Sequence, residues 1–179
     1  MKGIVFTELL SMMEATHDYE LVDRVINQVN PASGGAYTTV GTYDHSELVA
    51  LVVNYAEITR QPVEEVLRLF GHHLFGVFLN NYPDFFNPAL DAFGFLRSID
   101  NYIHIEVAKL YPEARLPRFM TTDKGQGCLE MIYISERKMA ALAQGLIEKT
   151  MEHYGEQAEI SMQMMNSDGS KVKFTIVKS

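Results

Sequence analysis

The spacing of apolar residues changes texture at Tyr111-Pro112, and that change sets the fold class. Up to Tyr111 they recur with helical spacing; after Pro112 they fall into short runs that alternate with polar residues and are separated by turn signals. The expected class is α+β, with a helical N-terminal lobe packed on a C-terminal lobe of antiparallel sheet with helices. No internal repeat or low-complexity linker divides the chain. Its 179 residues, 47% of them hydrophobic, are enough to bury a sizeable core, so residues 1–179 read as one domain.

Local signals place the elements. Ile4, Leu9, Met12 and Met13 predict a helix over residues 3–14. Asp18 is a cap candidate for a second helix carrying Leu21, Val22, Val25, Ile26 and Val29, which Asn30-Pro31 ends. Residues 31–35 read as a loop, Thr38 to Thr42 as a short extended piece, and Asp44 as the cap of a helix over 45–59. Pro62 suits a first helical turn, with Glu64 and Glu65 on the positive end of the helix dipole. Val66, Leu67, Phe70, Leu74, Val77 and Phe78 then form a broad apolar face. Only short turns are expected over 80–88, followed by a helix over 95–110. Gly125-Gln126-Gly127 and Asn166-Ser167-Asp168-Gly169 mark two hairpins, and residues 138–153 return to helix.

Charge and cysteine content exclude several functions. A formal charge of −8, from 23 acidic and 15 basic residues, argues against nucleic acid, whose recognition needs clustered Lys and Arg. Cys128 is the single cysteine, so no intramolecular disulfide and no cysteine-rich metal cage can form. Glu8 interrupts what would have to be an apolar leader, and no uncharged run approaches the ~20 residues of a membrane span. The expectation is a soluble cytoplasmic protein.

Two groups of residues carry chemistry. Ile99, Ile103, Val107 and Leu110 make a helical stripe with His104 at its edge, and Ala108, one turn on, leaves room beside the imidazole. A neutral imidazole on a rigid helix facing an apolar cleft suits an axial haem ligand, although a histidine beside an apolar face is far more often a plain core or surface residue. Tyr133, Ser135 and Arg137 recur at every second position, so an extended segment projects all three to one side. There a phenol, a hydroxyl and a guanidinium suit a pair of carboxylates. The plain alternative is a strand with a polar outer face. Other candidates fail. His104-Ile105-Glu106 has half of a zinc-deaminase motif without its cysteines, Gly125-Gln126-Gly127 is too short for a phosphate loop, and neighbouring His72 and His73 point about 100° apart on a helix.

Taken together, MKGIVF at the start, the His104 segment with KLYP and LPRF after it, and Tyr133-x-Ser135-x-Arg137 resemble the haem–nitric oxide/oxygen binding (H-NOX) family. The likeness spans essentially the whole chain, in order. It implies a non-covalent b-type haem (iron protoporphyrin IX) between the lobes, with His104 as axial ligand and Tyr133, Ser135 and Arg137 on the propionates. Pro117 would press on the haem and distort it. The lobes implied are a distal one over about 1–60 and a proximal one over about 61–179.

Family members that hold dioxygen stably carry a tyrosine five residues after the signature arginine; that place is Leu142 here. Leu9 and Leu74 occupy the other distal polar positions, with Val5, Phe78 and Leu146 nearby, so the implied wall is apolar. Bound dioxygen gains from a hydrogen-bond donor far more than nitric oxide or carbon monoxide does. The resemblance therefore implies a nitric oxide sensor, not an enzyme, in which the iron–His104 bond breaks. The signal would pass in trans to a histidine kinase or a cyclic-di-GMP synthase or phosphodiesterase. Neither membrane nor nucleic acid is an expected partner. The cysteine/histidine cluster that some bacterial relatives carry near the C-terminus is missing, which leaves no basis for a zinc or thiol switch. The rivals are a haem enzyme of peroxidase or nitric oxide dioxygenase type, which needs a polar distal acid/base, and a haem-free module binding an apolar ligand.

Overall fold

The structure, a computed structural model, describes residues 1–179. Four helices come first: α1 (Gly3–Thr16), α2 (Tyr19–Val29), α3 (His45–Thr59) and α4 (Val63–Asn81). Their ends follow the local chemistry. The Asp18 and Asp44 carboxylates accept from the backbone N–H of Leu21 and Ser46, each at 2.8 Å. Asn30 and Arg60 close α2 and α3 in the left-handed conformation, and Pro62 caps α4 from just outside it.

The piece expected to be extended, Thr38 to Thr42, is a turn closed by the Gly41 N–H on the Thr38 carbonyl (3.0 Å), with a single bridge from Lys2 to Thr42. Glycine explains the difference. A Cβ on Gly3 would stand 1.8 Å from the Thr38 carbonyl oxygen, so the chain start presses directly on this loop and leaves no room for a ladder.

After a 3₁₀ turn (Pro83–Phe85) come α5 (Ala92–Ser98), a π turn (Ile99–Ile103) and α6 (His104–Leu110). The single helix expected over 95–110 is thus longer and contains a π turn, whose extra residue advances the side chains after it by about 100°. Four antiparallel strands, β1 (Arg118–Gly125), β2 (Cys128–Ile134), β3 (Ala158–Met164) and β4 (Lys171–Lys178), pair in the order β1-β2-β4-β3. Helix α7 (Ala140–His153) connects β2 to β3.

Alternation along the strands turns Leu129, Met131, Tyr133, Val172, Phe174 and Ile176 inward. They bury against α5 and α7. A second core joins α1, α2 and α3 to Val66, Phe70 and Leu74 of α4, and a third is the cluster of Phe75, Phe86 and Phe95. Helices α4 and α7 meet at two glycines. A Cβ on Gly71 would lie 2.3 Å from the Leu142 carbonyl oxygen and one on Gly145 2.0 Å from that of Arg68. This close crossing fixes where Leu74, Leu142 and Leu146 stand.

Candidate functional site

Helices α1, α4, α6 and α7 and the inward face of β2 enclose a cavity of about 300 Å³, at the lower end of the size range of small-molecule pockets. Of its 32 lining residues 26 are hydrophobic, and the other six are Lys2, His104, Pro117, Ser135, Arg137 and Thr150. A wall this apolar admits a flat apolar molecule. The polar groups are few enough to be accounted for singly.

Two of them are already satisfied. Thr150 Oγ1 donates to the Leu146 carbonyl (2.8 Å), and Lys2 Nζ donates to the Val40 carbonyl (3.0 Å) and Thr42 Oγ1 (3.1 Å). His104 is different. Its Nδ1 is buried without a hydrogen-bond partner, 3.7 Å from Asp100 Oδ1. Burial lowers the imidazole pKa below its ordinary 6.5, against the opposing pull of Asp100 and the Pro117 carbonyl. The ring therefore favours the neutral form, the one that can bind a metal.

Arg137 is the second unsatisfied group. Its half-buried guanidinium makes neither an ion pair nor a hydrogen bond within the chain, and burial lowers its pKa, with Arg115 adding repulsion. The N-terminal ammonium, lowered by burial and then by Arg137, donates to the Tyr43 carbonyl at 2.5 Å. A protein of net charge −8 thus holds an unpaired guanidinium at one edge of an apolar cavity, which calls for an anionic ligand there.

The structure brings the three signature residues together by a route other than strand alternation. Strand β2 ends at Ile134, so only Tyr133 projects from it; Ser135 and Arg137 lie in the turn leading to α7. In that turn Ser135 N–H donates to the Ser170 carbonyl (2.9 Å), Ser135 Oγ accepts from Arg137 N–H (3.2 Å), and Lys138 adopts φ 57°. The chain curls back, so all three still line the cavity. Tyr133 is 3% exposed and its hydroxyl accepts from Met139 N–H at 3.1 Å, tying the strand to the start of α7.

Of the remaining expected residues, Val5, Leu74, Phe78, Pro117, Leu142 and Leu146 line the cavity. Leu9 does not. It is fully buried in the core of α1 to α4, one helical turn beyond Val5 on the same face of α1. His72 and His73 part as their separation requires, His72 to Glu148 on α7 (2.6 Å) and His73 to Glu8 on α1 (2.9 Å). Sequence reasoning missed Lys2, Thr150 and a pair of phenols, Tyr82 and Tyr111, whose hydroxyls meet at 3.1 Å on the cavity wall. Burial and this contact raise the Tyr82 pKa to about 12, the Tyr111 bond contributing most.

An apolar cavity, one buried imidazole without a partner and an unpaired guanidinium at the rim fit a flat apolar group that carries a metal at its centre and carboxylates at its edge. Haem has that chemistry. Comparison with solved structures gives the same class. The Fe(II) unliganded H-NOX protein from K. algicida is 40% identical, with 100% of this chain and 97% of that chain covered at a TM-score of 0.96. The H-NOX from Shewanella woodyi in its Fe(II)CO ligation state is 38% identical over 100% of this chain and 95% of that one, at 0.84. An H-NOX protein from S. oneidensis in the Fe(II)NO ligation state is 26% identical over 100% and 99%, at 0.91. No curated protein matches the chain. Residues 2–162 match the haem-NO-binding family, and the chain belongs to it. Haem-based gas sensing is that family's business. No helix of the chain is long and apolar enough to cross a membrane.

Proposed function

We propose that the chain is a nitric oxide sensor, whose b-type haem lies in the cavity between a distal lobe over about 1–60 and a proximal lobe over about 61–179. His104 would hold the iron, and Tyr133, Ser135 and Arg137 would hold the propionates. The observation that carries the reading is the wall contributed by α1, α4 and α7, where Val5, Leu74, Phe78, Leu142 and Leu146 present no donor. When bound, the haem supplies a ferrous iron that takes up a diatomic gas. The wall then selects against dioxygen, which needs a donor, and leaves nitric oxide and carbon monoxide as ligands.

The chain's own residues convert binding into movement. His104 starts α6 and follows directly on the π turn, so an imidazole no longer held would leave α6 free to shift against Pro117 and the start of β1. Helix α7, which carries Leu142 and Leu146 of the wall, is coupled to α4 through the close Gly71–Gly145 crossing. The output goes in trans to a histidine kinase or a cyclic-di-GMP synthase or phosphodiesterase, by family resemblance, in a cytoplasm that keeps Cys128 reduced. The chain has no catalytic role in this reading. A haem enzyme would need a polar acid/base on the wall where Leu74 and Leu142 stand.

His104→Gly tests the ligand. The variant should lose the five-coordinate histidine-ligated ferrous spectrum and regain it with added imidazole. Indifference to both changes removes His104 from the role.

A further inference from the structure

The π turn before His104 has a consequence for the histidine it presents. Asp100, within that turn and four residues earlier, stands beside the imidazole, with Oδ1 3.7 Å from Nδ1 and side chains only 22% and 18% exposed. The same Oδ1 accepts from Phe119 N–H at 3.1 Å, and Oδ2 stands 3.7 Å from Arg118 NH2. The carboxylate therefore joins the His104 helix to the first residues of β1. Nδ1 itself is buried without a partner, a costly condition for a ring nitrogen in a protein interior.

We propose that Asp100 is the positioning residue for His104 and that Arg118 sets its strength. Once Nε2 is engaged, the Nδ1 hydrogen has Asp100 Oδ1 as its charged acceptor, and the bond closes from 3.7 Å. Contacts of this kind are commonly long before a ligand is in place. An acceptor on the far nitrogen fixes which tautomer is present, orients the ring and makes it a stronger donor to a metal. Arg118 draws charge from the other carboxylate oxygen and weakens that push. The 72% exposed Arg118 side chain leaves the push adjustable by whatever approaches the start of β1. The iron–His104 bond is then neither as strong as a fully carboxylate-backed ligand nor as weak as an unsupported one, and its ease of rupture is set by two residues outside the cavity. Neither Asp100 nor Arg118 lines it.

The inference rests on the haem reading, and its test separates the two. In the haem-free protein, long-range proton–nitrogen NMR should show His104 as the Nδ1–H tautomer, moving toward a mixture in Asp100→Asn. Asparagine keeps an oxygen for Phe119 N–H, so folding is preserved, and thermal melting checks that. In the ferrous haem-loaded protein, resonance Raman should place the iron–histidine stretch lower in Asp100→Asn and higher in Arg118→Ala. Histidine release on nitric oxide binding should speed by about tenfold in Asp100→Asn, the effect of one charge-assisted hydrogen bond. An unchanged tautomer with an unchanged stretch in both variants, while haem still binds through His104, overturns the proposal and leaves the sensor reading intact. Haem binding that survives His104→Gly with no spectral change overturns the reading itself.

Discussion

Replacing Arg137 with leucine should move the haem-free and haem-loaded proteins in opposite directions. In the haem-free chain the guanidinium is half-buried, faces no carboxylate and is disfavoured by burial and by Arg115. Removing a charge in that position relieves an uncompensated cost, and after allowance for its partial exposure the gain is about 0.5–1 kcal/mol. For a chain of this size that is a rise in melting temperature of about 1–4 °C. In the loaded protein the same change removes a charge-assisted bond to a carboxylate, about 1.5–3 kcal/mol, so haem affinity should fall roughly ten- to 150-fold. The assay is a haem titration of the apo-protein followed by Soret absorbance, with thermal melts by circular dichroism on both forms. A haem-free variant that melts several degrees below the parent would refute the reasoning, because Arg137 would then be holding the fold rather than waiting for an anion.

Other consequences follow from the same geometry. Leu142→Tyr places a hydroxyl on the apolar wall, worth about 1 kcal/mol to bound dioxygen, and stopped-flow should show dioxygen leaving roughly fivefold more slowly. Gly145→Ala drives a methyl to 2.0 Å from the Arg68 backbone oxygen, so α4 and α7 must separate; the expected loss is about 1–3 kcal/mol by chemical denaturation. Burial holds the His104 pKa below 6.5, so between that value and the lower folded-state one the unfolded chain binds the extra proton. The haem-free protein should therefore lose stability as pH falls below about 6.5, and His104→Leu should flatten that slope in melts taken from pH 7.5 to 5.

What could be read from residues alone was whatever short-range chemistry decides. Asp18 and Asp44 announced helices because a carboxylate three or two residues ahead of a free N–H has one obvious use. The two hairpins were visible in their glycine and asparagine turns, and the family resemblance supplied His104 and its companions. The π turn left no trace, because Ile99, Ile103 and Val107 make an apolar stripe whether or not one residue is added to the turn. Period two at Tyr133, Ser135 and Arg137 fits a strand and also a curl that returns on itself, and Lys138, expected to start the next helix, adopts a left-handed backbone without a glycine to signal it. The resemblance implies Leu9 on the cavity wall, whereas the packing of α1 on α2, α3 and α4 takes it into their shared core, one turn past Val5. The place of Met1 and Lys2 at the cavity depends on Gly3 meeting Thr38, a contact that no local pattern encodes.

The visible spectrum of the ferrous protein, taken first in air and then under nitric oxide, tests the central claim most directly. The account predicts no lasting oxygen complex, and under nitric oxide a five-coordinate nitrosyl spectrum in which His104 is no longer bound. An oxygen complex that persists in air, or a preparation that takes up no haem at all, would contradict it.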